Sequence, residues 1–130
     1  MAILEWDPSY SVGVAALDED HKRLISVINR VTEAESRGEP VQWVLQELDE
    51  YAQGHFRREE ERLEEVNFPG LEAHRAEHAS FVEWLSSLKT TYSLDPEAHF
   101  HLAKTVEDFL RSWLQNHILT VDMQYKGEIS

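Results

Sequence analysis

The chain contains no cysteine. Disulfides, zinc–thiolate sites, iron–sulfur clusters and cysteine nucleophiles are therefore excluded from its chemistry. Glycine and proline are scarce, at 5 and 4 of 130 residues, and most fall between segments of apolar periodicity, where they mark turns. Basic residues are also few: Lys+Arg 12 stand against Asp+Glu 25, a net charge of −13. Such a balance argues against nucleic acid or an anionic membrane surface as a partner. No apolar run approaches the roughly 20 residues needed to span a bilayer, so no membrane insertion is expected. The opening "MAILEWDPSY" lacks a basic stretch followed by a long apolar one. No secretory signal is expected, and the cytoplasm is the expected compartment.

The hydrophobic share is 42%, enough for one domain over residues 1–130 with a single core. Pro8 and Gly13 disfavour a continuous helix at the start, so residues 1–17 read as an extended arm. Asp18 is placed to N-cap a helix over about 18–37, with Leu24, Ile25, Ile28 and Val31 on one face. Gly38 then suits the C′ position and Pro40 the first turn of a helix over about 40–65. That second helix carries Val41, Val44, Leu45, Leu48, Ala52 and Phe56 inward. "NFPG" at 67–70 is turn chemistry, and a third helix over about 71–92 carries Leu71, Phe81, Leu85, Leu88 and Tyr92. Asp95, Pro96 and Glu97 open a fourth over about 96–119, with Phe100, Ala103, Val106, Leu110, Trp113 and Leu114 inward. Four amphipathic helices joined by short turns predict an all-α, up-down-up-down antiparallel four-helix bundle.

Certain polar residues fall on the inward stripes. His21 lies one turn before Leu24 and Ile25. His55 and Glu59 continue the stripe of Leu48 and Ala52. His74 and His78 precede Phe81 and Leu85, and His117 follows Trp113 by four. In antiparallel neighbours the start of one helix sits beside the end of the next, so all five histidines converge near one end of the bundle. An i, i+4 pair differs by only about 40° around a helix, so "HFRRE" (His55, Glu59) and "HRAEH" (His74, His78) each aim two donors at one point. "HILTVD" (His117, Asp122) is spaced i, i+5, about 140° apart on an ideal helix. Asp122 joins the group only if the helix ends or distorts after His117, and such a break is expected.

A single histidine on an apolar face is ordinarily a hydrogen-bonded core residue. Five imidazoles and two carboxylates buried together need a counter-charge, because an uncompensated buried charge costs several kcal/mol. Nitrogen and oxygen donors without sulfur suit iron, manganese, zinc or nickel. The donors are too many for one ion. Two six-coordinate ions, bridged by Glu59, Asp122 and one solvent-derived oxygen, would leave one position open for a small ligand.

His21 followed by "HFRRE", "HRAEH" and "HILTVD" resembles the hemerythrin family. The arm "LEWDPSYSVGVAALDEDHKRL" is similar to that of its bacterial single-domain members, the bacteriohemerythrins. The resemblance covers essentially the whole chain. It implies two iron ions (Fe2+/Fe3+) with a bridging oxo or hydroxo group. One iron would take His74, His78 and His117; the other would take His21 and His55 and keep the open position. Glu59 and Asp122 would bridge. The implied function is reversible dioxygen binding for storage or delivery, without turnover beyond weak peroxidase or oxidase side activity. An oxygen-consuming enzyme is the expected recipient, and a monomer the expected state. An oxygen or redox sensor, a di-iron enzyme handling peroxide or nitric oxide, and iron storage are the alternatives. Phe56, Phe81, Trp113 and Leu114 would wall the oxygen pocket. Leu63 stands where relatives are expected to carry methionine. His99 and His101, at the other end, read as ordinary surface histidines, and Glu60, Glu61, Glu64 and Glu65 as a solvated face near Arg57, Arg58 and Arg62.

Overall fold

The computed structural model describes residues 4–94 and 101–129. Helix α1 spans Ala15–Ser36, α2 Trp43–Glu65, α3 Leu71–Leu94 and α4 Leu102–Trp113. The expected start of the fourth helix at Asp95 to Glu97, together with Phe100 and His99, lies outside the described residues. Helix α1 packs against α2 and α4, and α2 against α3. Trp84 of α3 stacks on Phe109 of α4 at 3.7 Å between ring centroids, closing the antiparallel four-helix bundle. Among the described residues no strand occurs, and no helix is long and apolar enough to cross a membrane.

The helix ends follow from local chemistry. At the end of α1, Gly38 adopts φ +69°. Its N–H donates to the Glu35 carbonyl and that of Glu39 to the Ala34 carbonyl, which is a Schellman cap. The end of α2 repeats the motif with Asn67 at φ 51°: Asn67 N–H reaches Glu64 and Phe68 N–H reaches Leu63. Phe68 and Leu63 also pack in the same apolar cluster, the contact that usually accompanies this cap.

Three expectations need correction. Helix α1 begins at Ala15 with Val14 as its cap residue, so Asp18 is not the N-cap. It sits in the first turn, and its carboxylate reaches back to accept the Val12 N–H at 2.9 Å and the Ser11 hydroxyl, tying down the arm. The arm is not wholly extended, since Pro8–Tyr10 makes one 3₁₀ turn capped by the Asp7 carboxylate. Helix α2 begins at Trp43, not Pro40, because residues 39–41 form the connection that follows the Schellman cap. Farther out, the arm is pinned by Asn29 on α1, which accepts the Leu4 N–H and donates to the Leu4 carbonyl.

The interior has three layers along the bundle axis. A large apolar cluster runs from Leu24 on α1 through Phe56, Phe81 and Trp113 to Ile118. A smaller one contains Val12, Val14, Leu17, Leu63, Tyr125 and Ile129. Between them lie His21, His55, Glu59, His74, His78, His117 and Asp122, all buried.

Candidate metal centre

Each helix contributes to the polar layer at the level that its position in the chain dictates. His21 lies in the second turn of α1, His55 and Glu59 late in α2, and His74 and His78 in the first turns of α3. The last contribution depends on a change of helix type. Beyond Trp113 the backbone continues as π-helix over Leu114–Val121 and then as a 3₁₀ turn, Asp122–Tyr125. The Asp122 N–H donates to the His117 carbonyl five residues back. In this winding, residue i+5 lies nearly above residue i, so His117 and Asp122 point the same way. The expected distortion is present, but it begins three residues before His117 instead of after it.

The two carboxylates face both ways. Glu59 Oε1 lies 2.6 Å from His74 Nε2 and 2.9 Å from His78 Nε2. Glu59 Oε2 lies 3.5 Å from His55 Nε2 and 3.9 Å from His21 Nε2. Asp122 Oδ1 approaches His74 at 2.7 Å and His117 at 3.0 Å, while Oδ2 faces His21 at 3.4 Å. Two foci result. Donor atoms of Glu59, His74, His78 and His117 lie within 4.8 Å of one another, and so do those of His21, His55, Glu59 and Asp122.

Behind the inward Nε2 atoms stands a second set of acids. His55 Nδ1–H donates to Asp20 at 3.0 Å, His78 Nδ1–H to Glu60 at 2.7 Å and His117 Nδ1–H to Glu77 at 3.1 Å. These bonds fix the tautomer that turns Nε2 inward, and they raise the basicity of each ring. Aromatic faces cover the same rings: Phe56 stacks on His78 and Trp113 on His117, both at 4.0 Å, and Tyr51 on His55 at 5.0 Å. Phe81 packs edge-on against Phe56 and Trp113, and Leu114 is buried in the same apolar cluster. The four expected wall residues are thus assembled in the large cluster.

The layer calls for positive charge. Burial alone would lower the pKa of His74, but the close carboxylates of Asp122 and Glu59 push it up to about 10. His117 is raised for the same reason, again against burial. Burial would raise the pKa of Glu59 and Asp122, yet both are held low by the surrounding imidazoles. His55, by contrast, is lowered by burial, which its bond to Asp20 only partly offsets.

Sequence reasoning missed Asp20, Glu77 and Tyr125, whose hydroxyl donates to Glu59 Oε2 at 2.8 Å. It also placed Glu60 on the solvated face; instead Glu60 binds His78 and Arg75. Arg58 likewise turns from its neighbouring glutamates to Asp20, with bonds of 2.9 and 2.6 Å. The available signal was adjacency, since Asp20, Glu60 and Glu77 each sit one position from a member of the layer. His101 is exposed at the start of α4, away from the layer as expected.

Several buried atoms in the layer lack hydrogen-bond geometry to any neighbour among the described residues: both nitrogens of His21, Nε2 of His55 and His117, and both Asp122 oxygens. Each such atom costs about 1–3 kcal/mol if left unsatisfied. All of them except His21 Nδ1 belong to the inward donor set. Imidazole nitrogen and carboxylate oxygen suit first-row divalent metals such as iron, zinc or manganese, so the residues fit a pair of such cations.

Comparisons with known proteins agree. A family model described as the hemerythrin HHE cation binding domain matches residues 12–129. A hemerythrin-like protein from Naegleria gruberi is 34% identical over 122 residues, 94% of this chain and 90% of its own length. A bacteriohemerythrin from Stenotrophomonas maltophilia is 29% identical over 131 residues, 99% of this chain and 83% of its own. A crystal structure of a hemerythrin mutant has a TM-score of 0.81 at 24% identity, covering 100% of this chain and 99% of that one. With a match that takes in all four helices and the whole polar layer, this chain belongs to the hemerythrin family.

Proposed function

We propose that this chain, acting as one domain, binds dioxygen reversibly at a non-haem di-iron centre, for storage or delivery in the cytoplasm. The observation that carries the reading is the two-way presentation of Glu59 and Asp122, each with one oxygen toward each focus. His74, His78 and His117 would hold one iron and His21 and His55 the other, with both carboxylates bridging. Bound iron supplies the electrons and the open coordination position that dioxygen needs. The chain's own part is to orient and to exclude water. Asp20, Glu60 and Glu77 fix three of the imidazoles by their far nitrogens. Phe56, Phe81, Trp113 and Leu114 keep the large-cluster side of the layer dry, which opposes loss of reduced oxygen species to water. Three imidazoles on one side and two on the other leave a nitrogen-rich site that favours binding over substrate oxidation. The chain is proposed to act as a monomer that supplies an oxygen-consuming enzyme.

The test is to load the chain anaerobically with ferrous iron, record the visible spectrum, admit air and then strip the oxygen. A charge-transfer band that rises with air and vanishes on deoxygenation is expected. Irreversible conversion to a ferric spectrum would instead favour redox sensing or oxidase chemistry. His74→Ala and Glu59→Ala should each reduce iron content, whereas His101→Ala should leave it unchanged. Survival of both the iron stoichiometry and the spectrum in the first two variants would overturn the ligand assignment.

A further inference from the structure

We propose that Tyr125 makes the two cation positions unequal, so that the chain loads in two steps and the position between His21 and His55 is the exchangeable one. The inference rests on the metal-binding reading above. Tyr125 is fully buried in the smaller apolar cluster, among Val12, Val14, Leu17, Leu63 and Ile129. Its hydroxyl donates to Glu59 Oε2 at 2.8 Å, the oxygen that faces His55 and His21. An oxygen already polarised by an O–H donor has less electron density to give a cation. Oε1, facing His74 and His78, receives no such bond from Tyr125.

The other differences between the two foci have the same sign. Three imidazoles converge on one and two on the other. At the first, His78 and His117 are each backed by a carboxylate on the far nitrogen, Glu60 and Glu77. At the second, only His55 is so backed, and its partner Asp20 also accepts two hydrogen bonds from Arg58. That carboxylate divides its charge between a guanidinium and an imidazole. His21 Nδ1 is buried without a hydrogen-bond partner among the described residues. Outer groups of this kind change metal affinity by about 10–100-fold. Tyr125 is the one among them anchored by both ends of the described chain, since Val12 comes from the arm and Ile129 from the C-terminal tail. Occupancy of the second position is thereby tied to how well those two segments pack.

The experiment is a titration of the metal-free full chain with Co2+ at fixed pH, followed by visible absorption against a competing chelator. Two equivalents should bind, the second about tenfold or more weakly than the first. Tyr125→Phe keeps the ring in its cage and removes the donor. It should tighten the second equivalent and leave the first unchanged. Arg58→Gln should also tighten the second, by returning the Asp20 charge to His55, so the inference does not depend on one variant folding. Glu77→Gln should weaken the first. Two equivalents of indistinguishable affinity in the unmodified chain would overturn the inference. So would a Tyr125→Phe variant that shifts both equally or weakens the second. Failure of the underlying reading looks different: no saturable uptake at all, or uptake that persists in Glu59→Ala.

Discussion

The two apolar clusters on either side of the polar layer are built by different means. The larger takes its residues from all four helices at regular three- and four-residue spacing, and its aromatic rings press directly on the imidazoles. The smaller is assembled from the arm, the first turn of α1, the last turn of α2 and the irregular C-terminal tail. One is a product of helix periodicity; the other depends on chain ends held by individual hydrogen bonds, such as those from Ser11 and Val12 to Asp18. The polar layer thus has a stiff side and a side closed by segments that can open locally.

The largest effect should come from the stiff side. Phe81→Ala should cost about 3–5 kcal/mol of global stability, measured by urea unfolding, because Phe81 is fully buried against Phe56, Phe109 and Trp113. Val12→Ala should cost less, about 1–2 kcal/mol for the lost methyl burial. Hydrogen exchange should show the loss concentrated in residues 4–14, with the α3 and α4 amides still protected. A Val12→Ala cost as large and as global as that of Phe81→Ala would mean the two clusters are one cooperative unit. The smallest effect concerns Asp20, at the boundary between them. Burial would raise its pKa, but bonds from His55 and Arg58 bring it down from 3.8 to about 2. A depressed carboxylate stabilises the fold fully above its unfolded pKa, and that contribution fades as pH falls through the folded one. The stability gap between the unmodified chain and Asp20→Asn should therefore be constant down to about pH 4 and close toward about pH 2. A gap that widened in acid would refute the Asp20–Arg58 pairing.

The same contrast explains what could be read from the amino-acid sequence. The large cluster and the seven-residue layer were legible because i, i+4 spacing and antiparallel topology together dictate which side chains meet. His55 with Glu59 and His74 with His78 needed no further information. Asp18 was ambiguous, since an acid near a helix start serves equally as its cap or as an anchor reaching back to the preceding segment. Glu60 and Glu77 were hidden for a different reason. Each lies off the apolar stripe, where a glutamate ordinarily meets water, and only a histidine on a neighbouring helix draws it in. Tyr125 lies beyond the last periodic helix, in a stretch without a repeat to place it. The π-helical segment carries neither proline nor glycine to announce it; the five-residue step from His117 to Asp122 was its single trace.

That segment has a consequence for tolerance to change. A π-helical stretch holds one residue more than an α-helix would need to reach the same place. Thr120, exposed on its outer side, should accept many replacements. Deleting it would leave His117 and Asp122 at i, i+4 spacing, only about 40° apart on an α-helix, so the backbone could relax to α-helix with both side chains still facing the layer. A one-residue insertion has no such escape: it would set the pair at i, i+6, about 120° apart on an ideal α-helix, so this stretch should tolerate losing a surface residue better than gaining one.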